Sequence, residues 1–131
     1  MKNSGAGAKR ILVVEDEPAI CDVCQRVLTS EGFEVDIAVN GKVAQDKIQG
    51  KDYDLILIDI RTPVMNGKQL YRYMNEKHPE LINRIIFTSG DVVDGDTQGF
   101  LELVGKPSLP KPFTTEELKA IVREALRQVE K

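Results

Sequence analysis

Short apolar runs separated by helix-length segments constrain this chain more than any other feature. The runs ILVV (Ile11 to Val14), YDLILI (Tyr53 to Ile58) and RIIFTS (Arg84 to Ser89) are rich in β-branched residues, and their apolar stretches do not alternate with polar residues. Such runs predict strands buried on both faces. Helix signals lie between them. Pro18 is placed to open a helix that runs to about Glu31 and stops at Gly32. FEVDIAV, Phe33 to Val39, alternates as a strand with one less-covered face would. Asn40-Gly41 then turns the chain into a short helix, Lys42 to Gln49, closed by Gly50. A loop from Asp59 through Gly67 leads to a helix from about Lys68 to Lys77, ended by His78-Pro79. Gly90 to Gly105 holds only a weak helical stretch around Gln98 to Val104, so the fourth helix is expected to be short or irregular. Pro107 to Phe113 carries a short last strand. Thr114 and Glu117 form a capping box before an apolar stripe of Leu118, Ile121, Val122, Ala125, Leu126 and Val129. Five strands alternating with five helices predict a doubly wound α/β fold, because parallel neighbours need crossover connections and these are right-handed.

With 131 residues the chain is the size of one domain and buries roughly two thirds of its unfolded surface without a disulfide or metal staple. Its 41% hydrophobic and 30% charged content is that of a soluble domain, and no apolar run is long enough to span a bilayer. The opening MKNSGAGA lacks the apolar core of a signal peptide, so residues 1–9 read as a flexible leader and the cytoplasm as the location. A net charge of −3 with scattered basic residues gives no footprint for direct nucleic-acid binding. Cys21 and Cys24 have the Cys-x-x-Cys spacing of a redox site, but they start a turn too far into their helix; Cys24 reads as a core residue and Cys21 as its flank.

In a doubly wound sheet the ligand site lies outside the carboxyl ends of the strands. Glu15 and Asp16 leave the first strand, Asp59 the third, Thr88 and Ser89 the fourth and Lys111 the fifth. Each alone is what a strand end offers. Together they put three carboxylates at one edge, and two carboxylates ~5 Å apart repel by ~3 kcal/mol at an effective dielectric near 20. That repulsion calls for a cation, and an all-oxygen set suits Mg²⁺. With Lys111 as a point charge and Ser89 as a hydrogen-bond donor, Asp59 is equipped to accept a phosphoryl group as a nucleophile.

The stretches VVEDEP, LILIDIRTPVMNG, IIFTSG and LPKPF, in this order and spacing, resemble the receiver domains of two-component response regulators over nearly all of the chain from Arg10 onward. The resemblance implies a flavodoxin-like sheet in the order 2-1-3-4-5, with residues 10–131 as the receiver. It implies Asp59 as the phosphoacceptor, with Glu15, Asp16, Asp59 and the backbone carbonyl of Arg61 holding Mg²⁺. It also implies Lys111 as the partner of the phosphoryl group and Ser89, 22 residues before it, as the switch hydroxyl, with a cis Lys111-Pro112 bond. The implied donor is a histidine kinase or histidine phosphotransfer domain, and the implied reader a downstream output protein, with neither nucleic acid nor membrane touched directly. Such a domain catalyses its own phosphorylation and dephosphorylation rather than turning over a free substrate. The stretch GFLELVGKPSLPKPF is similar to receivers attached to hybrid histidine kinases, which suggests a C-terminal receiver of such a kinase, with a single-domain regulator as the alternative that fits the same residues.

One departure bears on signalling. Where the family carries an aromatic three residues before the lysine, this chain has Ser108, so either another group reports the phosphate or coupling is weak. A non-cycling interaction module therefore stands as the alternative. A free-standing phosphohydrolase would need a second acid two residues after Asp59, and Arg61 occupies that place. An Arg61–Asp91 contact is expected to cover the acyl phosphate.

Overall fold

The computed structural model describes residues 8–90 and 95–130. The expected leader therefore lies outside the described residues except for Ala8 and Lys9, and so does Asp91 with its expected contact to Arg61. Five strands, β1 (Arg10–Val14), β2 (Glu34–Ala38), β3 (Leu55–Asp59), β4 (Ile85–Ser89) and β5 (Ser108–Pro110), form one parallel sheet in the order β2-β1-β3-β4-β5. Five α-helices connect or follow them: α1 (Pro18–Ser30), α2 (Gly41–Gly50), α3 (Gly67–Lys77), α4 (Gly95–Val104) and α5 (Thr115–Glu130). A 3-10 helix, Pro79–Arg84, which the sequence did not announce, leads from α3 into β4.

The central strands lack polar alternation because both of their faces are covered. Leu12, Val14, Ile56, Ile58, Ile85 and Phe87 pack on one side with Ala44, Ile48, Leu70 and Met74. Ile11, Val13, Leu55, Leu57 and Ile86 pack on the other with Cys24, Leu28, Leu118, Val122 and Leu126. β2, at an edge, is only half-buried until Ala38, in keeping with its alternation. Cys24 is a core residue, and burial pushes its thiol pKa up to about 12. Cys21 donates to the Glu15 carbonyl at 3.2 Å; burial and the nearby Glu15 and Asp16 charges raise its pKa as well. Neither thiol has the lowered pKa of a redox nucleophile.

The helix ends are set by local chemistry. Gly32, at φ 96°, takes the left-handed position that closes α1. At α5, Thr114 Oγ1 accepts from Glu117 N at 3.0 Å and Glu117 Oε1 accepts from Thr114 N at 2.8 Å, the expected capping box. The fourth helix is short, ten residues, but regular, and it starts three residues before the expected Gln98. Gly95 and Gly99 conceal it from a propensity reading, while Phe100, Leu101 and Val104 hold it by packing onto the core.

Beyond Asp59 the loop between β3 and α3 is pinned by hydrogen bonds. Thr62 Oγ1 and Gly41 N both donate to the Met65 carbonyl at 3.0 Å, and Gly67 N donates to Ile60 O at 2.9 Å. Gly67 has no room for a side chain, since a Cβ there would lie 2.7 Å from Ile60 Cα. Between these anchors Met65 N donates to Pro63 O at 2.7 Å across Val64, a γ-turn whose central residue sits at φ 68° with its side chain 78% exposed. A β-branched residue is strained there and gains no core contact in return. Val64→Gly is expected to raise stability by about 1 kcal/mol in urea denaturation, since glycine has no Cβ to strain at positive φ. A loss of stability would contradict the strain.

Candidate functional site

The carboxyl end of the sheet collects the predicted residues. Glu15 follows β1 and is 2% exposed; its N–H donates to Ala38 O at 2.9 Å, which ties it to the end of β2. Asp59 closes β3 at 4% exposure, opposite Thr88 in the sheet register. Asp16 is exposed at the rim. One carboxylate oxygen from each of Glu15, Asp16 and Asp59 lies within 4.8 Å of the others.

Lys111, just beyond β5, reaches back into this group. Its backbone N–H donates to Ser89 O at 2.8 Å, and its Nζ lies 3.0 Å from Glu15 Oε1, 3.2 Å from Asp59 Oδ2 and 2.9 Å from Glu17 Oε1. The Lys111-Pro112 peptide bond is cis, as the resemblance implied. Asp59 Oδ1 accepts the Arg61 N–H at 3.1 Å, so both oxygens of this carboxylate are engaged. Ser89 ends β4, 4% exposed, one residue beyond the lateral partner of Asp59. Arg61 is exposed and lines an open cleft of about 360 Å³ with Asp16, Glu17, Asp59, Gly90 and Lys111.

Burial drives the Glu15 carboxyl from an ordinary 4.5 up to about 7; the Lys111 hydrogen bond opposes the rise, the Asp59 charge adds to it and the Glu17 N–H opposes it. Burial also acts to lower the Lys111 pKa, but the hydrogen bonds to Glu17 and Glu15 and the charge on Asp59 outweigh it, and the net shift is upward. The ammonium therefore stays charged and is the cation that holds the buried acids together. Three clustered carboxylate oxygens with no sulfur or imidazole among them form a donor set suited to a hard divalent cation.

Residues 11–123 match the model of the response regulator receiver domain. The chain belongs to that family. Among curated proteins, the response regulator ArlR of Staphylococcus epidermidis is 36% identical to this receiver over 118 residues, 90% of this chain and 52% of that protein. The chain thus spans about half the length of the curated relatives it matches. Among solved structures, a CheY-like receiver domain protein from Methanospirillum hungatei is 30% identical, with a TM-score of 0.85 over 95% of this receiver and 98% of that chain. The receiver domain of a sensor histidine kinase from Pseudomonas aeruginosa, described with a magnesium ion coordinated in its active site cleft, is also 30% identical. Its TM-score is 0.82 over 92% of this receiver and 99% of that chain.

Sequence reasoning assigned no role to Glu17, although this receiver pairs it with Lys111. The only signal was its place as the third acid in a row, directly before the proline that opens α1. Ser108 is exposed, and its register partner on β4 is Phe87. Phe87 packs edge-on against Phe100 of α4 at 5.3 Å, and Tyr71 of α3 lies 6.0 Å from Phe87 and 5.7 Å from Phe100. Aromatic volume is thus concentrated beside Ser108, with Phe87 buried and Tyr71 and Phe100 half-buried over it. Among the described residues no helix is long and apolar enough to cross a membrane.

Proposed function

We propose that this receiver, taken as residues 10–131, is a phosphoacceptor in a two-component pathway, loaded on Asp59 by the phosphohistidine of a kinase or a histidine phosphotransfer domain. The P–N bond of the donor breaks with its electron pair returning to the imidazole, and one Asp59 oxygen forms the new O–P bond. Glu15, Asp16, Asp59 and the Arg61 carbonyl are the residues that would hold Mg²⁺, and the ion would supply charge neutralisation for the transferring oxygens. Lys111 meets the phosphoryl group as a fixed positive charge, and Ser89 is the hydroxyl that turns toward it. With Ser108 in place of the usual aromatic, the Phe87–Phe100–Tyr71 cluster below Ser89 is the group placed to pass that change to α4, for an output protein to read. The setting is the cytoplasm, where kinases meet their receivers.

The observation that carries this reading is Lys111 Nζ bridging Glu15 and Asp59 at 3.0 and 3.2 Å at the floor of an open cleft, uniting residues from three strand ends. Incubation with phosphoramidate and Mg²⁺ is expected to add one hydroxylamine-labile phosphoryl group by intact mass. Asp59→Asn or a chelator is expected to abolish the gain. Undiminished labelling of Asp59→Asn would overturn the assignment.

A further inference from the structure

An ammonium has three N–H donors, and on Lys111 three carboxylates compete for them. Two of these are locked. Glu15 and Asp59 have side chains only 2% and 5% exposed, and each is held by a second hydrogen bond, from Glu17 N at 3.1 Å and from Arg61 N at 3.1 Å. The third is not. The Glu17 side chain is 60% exposed at the cleft rim and meets Lys111 Nζ at 2.9 Å. Its backbone is nevertheless fixed, by that N–H bond to Glu15 Oε2 and by Pro18 at the start of α1. The carboxylate can swing, while its backbone stays anchored beside the cleft.

We infer that Glu17 is a specificity-determining residue: its carboxylate occupies the lysine donor that an incoming phosphoryl group needs and repels free anionic phosphodonors from the cleft, favouring donors delivered on a protein. This rests on the phosphoacceptor reading above. A small donor gains only the contacts of its own phosphoryl group, so it meets the full cost of displacing Glu17 and approaching its charge. A protein donor offsets that cost with contacts outside the cleft. Because the Glu17 end of the pair is 60% exposed to solvent, it acts as a bias rather than a block, on the scale of about 5-fold at most.

The test compares initial labelling rates of the parent, Glu17→Gln and Glu17→Asp at low salt and fixed Mg²⁺, with acetyl phosphate as a dianionic donor and phosphoramidate as a less charged one. Glu17→Gln is expected to label faster than the parent with acetyl phosphate, by up to about 5-fold, and by less than that with phosphoramidate. Glu17→Asp, which keeps the charge, should stay near the parent rate. In about 1 M salt, where the screening length falls to roughly 3 Å, the advantage of Glu17→Gln should shrink. A purely structural role would not produce this dependence on donor charge and salt. Equal or slower labelling of Glu17→Gln with both donors would overturn the inference and leave the phosphoacceptor reading intact. Failure of the parent to label with either donor would overturn that reading itself.

Discussion

Lys111→Ala is expected to lower the stability of the metal-free protein by about 3–5 kcal/mol, the cost of removing one partner from a buried ion pair. Lys111 is 13% exposed and lies within 3.2 Å of carboxylates on Glu15, Glu17 and Asp59, two of them buried. Without it, an ionised Glu15 within 4.8 Å of Asp59 faces a repulsion of about 3 kcal/mol at an effective dielectric near 20. Because the Glu15 carboxyl is already raised to about 7 with Lys111 present, the full loss is expected only at alkaline pH, where Glu15 can no longer escape by protonating. A domain of this kind has only about 5–15 kcal/mol to lose. The loss is specific to the acids, so it should be rescued by neutralising one of them. Glu15→Gln combined with Lys111→Ala is expected to be more stable than Lys111→Ala alone, with a coupling of about 1–3 kcal/mol. Urea denaturation in a chelator measures all four species of the cycle. Additive effects would show that Lys111 contributes through its packed stem rather than its charge. Adding Mg²⁺ should recover part of the loss in Lys111→Ala, because a second cation then faces the same carboxylates.

The sequence made the sheet legible because burial erases alternation: β1, β3 and β4 read as solid apolar runs, whereas β2, open along one face, kept its pattern. Periodicity placed Asp59, Glu15 and Lys111 at strand ends, but the strand order came from the family resemblance, since nothing in a local window orders parallel strands. The fourth helix was only half visible, because Gly95 and Gly99 argue against a helix that Phe100 and Val104 stabilise through tertiary contact. Strain at Val64 could not be read either, since a valine carries no sign of its φ. Glu17 was missed for a related reason. Its partner lies 94 residues away, and a third acid beside two others reads as solvent-facing charge until the fold brings Lys111 to it.

In a chelator the stability gap between Glu15→Gln and the parent should widen as pH rises from 4.5 to 7, reaching about 3 kcal/mol. The sign is set by Glu15, whose carboxyl is raised from 4.5 unfolded to about 7 folded. Between these values the folded state binds a proton that the unfolded state has released, so stability falls with rising pH across this window. Below it both states are protonated and Glu15 resembles the glutamine; above it the folded protein holds an ionised acid that burial disfavours. At about 1.4 kcal/mol per pH unit, a shift of this size corresponds to the stated gap. Asp36 does not blur the window. Burial acts to raise its pKa, but hydrogen bonds from Tyr53 and Lys51 outweigh this, and the net lowering puts its own loss of stability at more acid pH. Mg²⁺ should narrow or reverse the gap near pH 7, because metal binds the ionised carboxyl and so stabilises the parent more than the variant. A gap that stayed flat with pH would mean that Glu15 pairs with Lys111 well enough to ionise at no cost. The acids would then form a finished salt bridge, with no deficit left for a cation and a phosphoryl group to relieve.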